Sequence, residues 1–381
     1  MGMADMGMAF FAESLAEICA RSLVAPGRSL RWLLISNPTA GGFVMASRWK
    51  KCRSVLELCR KAARMNPQRD DCAPAETAAK RSVNTALAAS GLVNTDGPGA
   101  AAKIAGALTE EAAAYDTPFY LIITAGGDGT SREVLSVLYH VPEALRSRMA
   151  VLRLPMGTGN DGADAPELAA ALDLLLKPTR IVFTPALRLL TAPNGPAAIA
   201  AESQSPFLAF NILSVGLDAF VTHMTNKMKG KFPGDFYKLW VDIAALFYDR
   251  LYTVGFLDVK ALDTQGGELL SLHEKILLLA VGASGHRTYG SQKKILPDSR
   301  NVCMLRQMSL SRKLALKGLL NTGGHSDKDE AIMLNAHRVV FSGRHPMLVQ
   351  MDGETVLLKQ EDFPAAIELT APVIPVLKLV T

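Results

Sequence analysis

The stretch "FYLIITAGGDGTSREVLSVLYHV", residues 119–141, decides the fold. Its first seven residues are apolar and uncharged, the pattern of a strand buried on both faces. Val134, Leu135, Val137, Leu138 and Val141 then recur on one face of a helix. Between strand and helix stand Gly126, Gly127, Asp128, Gly129 and Thr130. Glycines let backbone N–H groups approach a ligand without interference from Cβ. A helix starting at Ser131 aims its positive end at the same spot, and the two features together make a phosphate site. Asp128 adds a carboxylate, which helps phosphate binding only where a cation or a proton transfer is involved. That combination points to a nucleoside triphosphate with Mg²⁺. For the motif taken alone, a tight strand-to-helix turn capped by Asp128 is the competing reading.

Working outward, the same rhythm repeats. "RWLLIS", 31–36, reads as a strand, "NPTAGG", 37–42, as a loop, and "ASRWKKCRSVLELCRKAARM", 46–65, as a helix. "VNTALAAS", 83–90, is expected as a second strand, followed by a turn and an Ala-rich helix. "MAVLRLPM", 149–156, is another strand, "GTGNDGADA", 157–165, a loop, and "PELAAALDLLL", 166–176, a helix with Pro166 in its first turn. Such units imply a parallel sheet covered by helices, with ligands at the carboxyl ends of the strands. Three glycine-bearing loops would then meet at one edge. "GTGNDG" matches GxGxxG, but it comes late and lacks an acidic partner about 20 residues on, so it does not indicate a dinucleotide site. "GHRTYGSQ", 285–292, has the glycine spacing of a P-loop without its Gly-Lys-Ser/Thr ending.

After Lys177–Pro178 the chain becomes a series of short β-rich segments separated by turns, as in an antiparallel β-sandwich or barrel, with one helical interruption near 235–250. The expected organisation is a helical extension over 1–28, an α/β nucleotide-binding domain over 29–178 and a β-sandwich acceptor domain over 179–365. In "QMDGETV", 350–356, Asp352-Gly353 is a favoured hairpin turn, and Glu354 just beyond it is placed to project toward a ligand.

With 381 residues, 49% of them hydrophobic, the chain holds enough apolar surface for two domains. Its net charge of +5, with no basic run interleaved with aromatics, argues against a nucleic-acid partner and is compatible with anionic ligands or an anionic membrane surface. Five cysteines without metal-ligand spacing fit a reducing, cytoplasmic compartment. The apolar start "MGMADMGMAFFAESLAEICARSL" is interrupted by Asp5, Glu13 and Glu17, which excludes a signal peptide. It reads as an amphipathic helix, packed on the core or lying on a membrane. The apolar stretch 236–259 is broken by Lys238, Asp242, Asp249 and Arg250 and is too charged to span a membrane.

"NPTAGG", "GGDGTSREVL", "LPMGTGND", "FNILSVGLDAF" and "MDGE", in this order, resemble the diacylglycerol kinase catalytic-domain family, which includes bacterial soluble lipid kinases, sphingosine kinases and ceramide kinases. The resemblance spans roughly residues 30–375. It implies an α/β domain like that of NAD kinases and phosphofructokinases and a C-terminal β-sandwich, with ATP and Mg²⁺ in the cleft between them. Residues 366–381 would return to the first domain. Carried over residue by residue, Asn37, Pro38, Thr39 and Gly41 would line the nucleotide, with Thr95 of "NTDGPGAA". Gly126, Gly127, Asp128, Gly129 and Thr130 would hold phosphates, Asp128 would act on the phosphate-bound Mg²⁺, and Glu133 would orient the loop. Gly157, Thr158, Gly159, Asn160 and Asp161 would form the second wall. Glu354 matches the general base of bacterial members, while other branches assign the base to the position of Asp128; Glu354 is adopted here.

The implied function is an ATP-dependent kinase of a diacylglycerol-like or sphingoid lipid, peripheral at the inner membrane face, as a monomer or homodimer. The apolar segment 236–252 would supply an acceptor groove or a core helix. The alternatives are a kinase of a soluble acceptor such as NAD, against which stands the lack of an Asn-Glu dipeptide, and a catalytically idle nucleotide- or lipid-binding protein. Three departures stand out. Bacterial members carry an acidic Asp-Gly cluster that binds a structural Mg²⁺, whereas "ILPDSRNVCML" keeps Asp298 but has Asn301-Val302 where Asp-Gly is expected. "GTGND" is followed by "GADA" without the usual aromatic and arginine, and the 65–82 insertion has no family counterpart.

Overall fold

The structure, a computed structural model, describes residues 3–70, 91–115, 118–157, 160–193, 207–228, 248, 254–289 and 293–380. The chain divides into two units, Met1–Thr184 with Pro372–Thr381, and Pro185–Ala371.

The first unit is built on a six-stranded sheet. Strands β1 (Leu30–Ser36), β2 (Gly91–Asn94), β3 (Phe119–Gly126), β4 (Met149–Pro155) and β5 (Thr179–Thr184) are joined by the C-terminal strand Ile374–Leu379 in the order β2-β1-β3-β4-C-terminal strand-β5. The pairs among β1 to β4 are all parallel. All eight residues of β3 are buried, as its uncharged sequence anticipates. The helices are α1 (Met3–Cys19), α2 (Gly41–Val44), α3 (Ala46–Ala63), α4 (Ala100–Ala114), α5 (Asp128–His140), α6 (Glu143–Arg146) and α7 (Leu168–Leu176). Side chains of α1, α3 and α7 share one core with those of β1, β3 and β4.

Several expectations are revised. Residues 179–184, expected in the second domain, form β5 of the first sheet, paired antiparallel along its length with Ile374–Leu379. The unit boundaries therefore fall at 184/185 and 371/372 rather than at 178 and 365. A strand spliced in from the far end of the chain leaves no local signal at either place. Pro166 lies before the N-cap Glu167 and not in the first turn of α7. The strand expected at 83–90 lies outside the described residues, and β2 is formed by the next four, Gly91–Asn94. Of the two readings of the amphipathic N-terminus, the core helix holds: Phe11, Leu15, Ile18 and Cys19 of α1 are fully buried.

The second unit is antiparallel. Its long strand Glu268–Gly282 pairs through its first half with Phe256–Leu262 and through its second half with Ile212–Gly216 and Val302–Arg306. One apolar core draws on both halves, from Val259 and Phe341 to Val215, Met304 and Val349. The helical interruption expected near 235–250 and the segment 236–252 lie outside the described residues apart from Tyr248. Among the described residues no helix is long and apolar enough to cross a membrane.

Candidate active site

Because β1, β3 and β4 run parallel and adjacent, the loops that follow them emerge at one edge of the sheet. The loop after β1 is an Asx turn: Asn37 Oδ1 accepts the Thr39 N–H (3.0 Å) and the Thr39 hydroxyl (2.8 Å), and the Asn37 N–H bonds Ala125 O of β3 (2.9 Å). Pro38 sits half-buried in that turn, and Gly41 opens α2. The Thr95 N–H bonds Ser36 O (2.8 Å), which ties the loop after β2 to the same edge.

The glycines divide into two groups. Gly42 donates its N–H to Met156 O (2.8 Å), and a Cβ there would lie 2.9 Å from that oxygen. A Cβ on Gly126 would meet Thr130 Oγ1 at 2.5 Å, and one on Gly157 would meet Gly127 Cα at 2.7 Å. Real Cβ atoms do not approach so closely, so Gly42 and Gly157 let the loops interlock, and Gly126 lets its own turn close over Thr130. A Cβ on Gly127 or Gly129 would instead point into open space. Those two leave backbone accessible at the start of α5, where the helix dipole favours an anion.

Asp128 is the first residue of α5, and its Oδ1 accepts the Gly162 N–H (3.0 Å). It therefore clasps the loop after β4 to the glycine turn after β3. Asn160 takes a left-handed φ of 60° and bonds Pro155 O through Nδ2 (3.2 Å). Asp161 follows it, half-buried, while Thr158 and Gly159 lie outside the described residues. Thr130 is buried beneath the turn. The Glu133 carboxylate accepts the N–H groups of Gly99 (2.8 Å), Ala101 (3.1 Å) and Ala102 (3.4 Å), so it caps α4 and holds the Thr95–Gly99 loop.

Sequence reasoning missed the supports behind this edge. Arg153 and Asp164 form a buried ion pair (2.7 Å), and the Arg153 N–H bonds the same carboxylate (2.7 Å). A lone arginine inside the apolar run of β4 was the available signal. Arg48 of α3 donates to Gly157 O (3.1 Å). Helix α1 backs the first loop: Phe11 meets Phe43 of α2 edge-on (5.2 Å), and Met8 Sδ accepts the Ser36 hydroxyl (3.3 Å).

Glu354 is in the second unit, exposed at the start of strand Glu354–Leu358, which pairs with Met347–Met351. Asp352 and Gly353 have φ of 48° and 99°, the left-handed turn their sequence predicts. What sequence reasoning did not foresee is the role of Asp352. Its buried carboxylate accepts the backbone N–H groups of Phe210 (2.5 Å), Asn211 (3.0 Å) and Ile212 (3.0 Å). The helix Leu217–Met228 holds the turn from another side: Asn226 Nδ2 donates to Gly353 O (2.8 Å), and His223 Nδ1 lies 3.2 Å from Thr355 Oγ1. Burial, then the nearby Lys227 ammonium, keeps His223 below the ordinary imidazole value. Asp352→Ala strips the carboxylate from three buried N–H groups, at a cost of about 3 kcal/mol or more. Urea denaturation checks this, and an unchanged midpoint would contradict the clamp.

The structural metal implied near Asp298 does not fit these residues. The Arg300 guanidinium grips the Asp298 carboxylate through Nη2 (2.5 Å) and Nε (3.0 Å), and foremost through these bonds it holds Asp298 below the usual carboxylate value. Asn301 is turned inward, bonded to Ala336 N (2.9 Å) and Ala336 O (2.9 Å). Among the described residues no group of three His, Cys, Asp or Glu side chains could hold a metal. The melting temperature of the nucleotide-free protein is therefore expected to be the same in chelator and in millimolar Mg²⁺. A rise with Mg²⁺ would reveal a divalent site.

A glycine-rich strand-to-helix turn, an aspartate at the helix start and two further loops stand on the same sheet edge, an arrangement with open backbone suited to an anion. Residues 31–178 match the family model for the diacylglycerol kinase catalytic domain. Among solved structures, a candidate diacylglycerol kinase from Bacillus anthracis str. Sterne is 18% identical, with 91% of this chain and 96% of that chain covered at a TM-score of 0.55. A second structure from the same organism, described as a diacylglycerol kinase, is 15% identical over the same shares at a TM-score of 0.51. At these identities the likeness establishes the two-part fold alone. No curated protein matches the chain.

Proposed function

We propose that the protein is an ATP-dependent lipid kinase that transfers the γ-phosphoryl group of ATP to a hydroxyl of a diacylglycerol-like or sphingoid lipid. The observation that carries this reading is the open backbone at Gly127 and Gly129 beside Asp128, within a diacylglycerol kinase catalytic domain. Phosphoryl transfer asks the protein mainly for positioning and charge compensation. The glycine turn and the start of α5 receive the phosphates, and the Asn37 loop, Thr95 and the Gly157–Asp161 wall enclose the nucleotide. Mg²⁺ arrives as part of the substrate: held by phosphate oxygens and waters, it needs only one or two protein carboxylates, and Asp128 supplies one. Glu354 accepts the proton of the attacking hydroxyl. Its support is the rigid hairpin, anchored through Asp352 and the helix Leu217–Met228, which sets an otherwise exposed carboxylate at one place. The enzyme works as a peripheral protein on the cytoplasmic face of the membrane.

The test is incubation with labelled ATP, Mg²⁺ and a total lipid extract in mixed micelles. A labelled lipid identifies the acceptor class. Label appearing only in a soluble acceptor such as NAD, or nowhere despite ATP binding, overturns the proposal.

A further inference from the structure

We propose that the outer face of α3 is the surface that docks this protein onto an anionic lipid bilayer. The inner face of α3 is ordinary core, with Leu56, Cys59 and Ala63 buried. The outer face is not an ordinary solvated face. Lys50, Ser54, Leu58, Lys61 and Met65 recur at steps of four, four, three and four residues, and so form one stripe along the helix and the turn after it. Leu58 is 65% exposed and Met65 87% exposed within that stripe. Val44 and Met45, just before α3, are exposed as well.

The charge around these apolar side chains is one-sided. Helix α3 carries Arg48, Lys50, Lys51, Arg53, Arg60 and Lys61 against the single carboxylate of Glu57, a surplus equal to the net charge of +5 of the whole chain. Arg60 is taken up by Glu17 of α1 (2.6 Å), whereas Arg53 with Glu57 and Lys51 with Glu167 make exposed pairs, which compete weakly with another anion. Lys50 and Lys61 have no ion pair among the described residues. Exposed apolar side chains flanked by lysines suit the headgroup boundary: the apolar tips enter the acyl edge while the ammonium groups meet lipid phosphates. A nucleic acid would use the charge but leave Leu58 and Met65 without purpose. At the N-terminal end of the stripe, Arg48 contacts Gly157 O, so the face begins beside the glycine loops. Helix α1, whose amphipathic sequence allowed either a core or a membrane position, packs on the core beside this helix, with Phe10 edge-on to Trp49 of α3 (6.5 Å).

The docking surface gains its purpose from the lipid-kinase reading, but its measurement needs no turnover. The full chain is floated with phosphatidylcholine vesicles, with and without phosphatidylglycerol. The wild type is expected to float only with the anionic vesicles and to be released by salt. Lys50→Gln with Lys61→Gln should weaken binding by about 25-fold, about fivefold for each lysine. Leu58→Ser should weaken it further without changing the salt dependence. Melting temperature and ATP affinity should stay at wild-type values in all variants. No flotation of the wild type, or equal flotation of the double variant, overturns the proposal. Retention on a DNA oligonucleotide in place of vesicles, indifferent to Leu58→Ser, reassigns the face to nucleic acid. Flotation without any labelled lipid in the kinase assay would leave the docking surface standing and remove the lipid-kinase reading.

Discussion

Asp128→Asn is expected to leave the protein folded and to remove phosphoryl transfer, lowering kcat by a factor on the order of 10³ or more, the scale of a lost transition-state charge contact. The geometry makes this variant informative. Asp128 Oδ1 accepts the Gly162 N–H, and the amide oxygen of asparagine can accept it equally well. The clasp between the loops after β3 and β4 therefore survives, and the melting temperature should hardly move. What disappears is the negative charge beside the open backbone of Gly127 and Gly129. Neutral oxygen is a poor ligand for a divalent cation carried by phosphates, so the loss falls on catalysis. The measurement is single-turnover transfer from labelled ATP, with circular dichroism and a thermal melt alongside. Near-wild-type turnover would remove Asp128 from the mechanism. Lost turnover together with a collapsed melt would mean that the residue acts through the loop clasp.

Glu354→Gln is expected to lower kcat by about 10²–10⁴, the usual worth of a positioned general base, with KM for ATP unchanged. Glu354 lies in the second unit and the phosphate turn in the first, so removing its proton-accepting oxygen should spare nucleotide binding. Glutamine keeps the size and the hairpin, whose conformation rests on Asp352, Gly353 and Asn226 and not on Glu354 itself. An effect confined to KM for ATP would contradict the assignment and favour Asp128 as the base. Asp352→Ala separates the two roles: it should lower stability first, and turnover only as a consequence.

Much of the first unit was legible because its signals are local. An uncharged apolar run, a glycine turn and a helical apolar stripe lie within 119–141, and each is a property of neighbouring residues. That the loops after β1, β3 and β4 share one edge also followed, since strand–loop–helix units pack only as parallel sheets. Less legible was the division of labour among the glycines. "GGFV", "GGDG" and "GTGN" look alike as text, yet Gly42 and Gly157 are needed for loop-to-loop contact and Gly126 for the closure of its own turn over Thr130, whereas a Cβ on Gly127 or Gly129 would face open space. The difference depends on which backbone comes opposite.

The sequence by itself determined the fold class: a two-part chain with a parallel-sheet α/β domain, a glycine turn between strand and helix at Gly126–Thr130 and a tight turn at Asp352-Gly353. Periodicity, turn chemistry and glycine spacing act over a few residues and survive without coordinates. Only the tertiary structure decided the rest. It placed Ile374–Leu379 between β4 and β5. It buried α1 and left the basic face of α3 outward, aimed Asp352 at the N–H groups of Phe210–Ile212, and set Arg300 on Asp298. Each is a pairing between groups distant in sequence or side chains with several available partners. Such choices are made by packing and by the cost of burying an unpaired polar group, which act across the fold and leave no periodic trace in the chain.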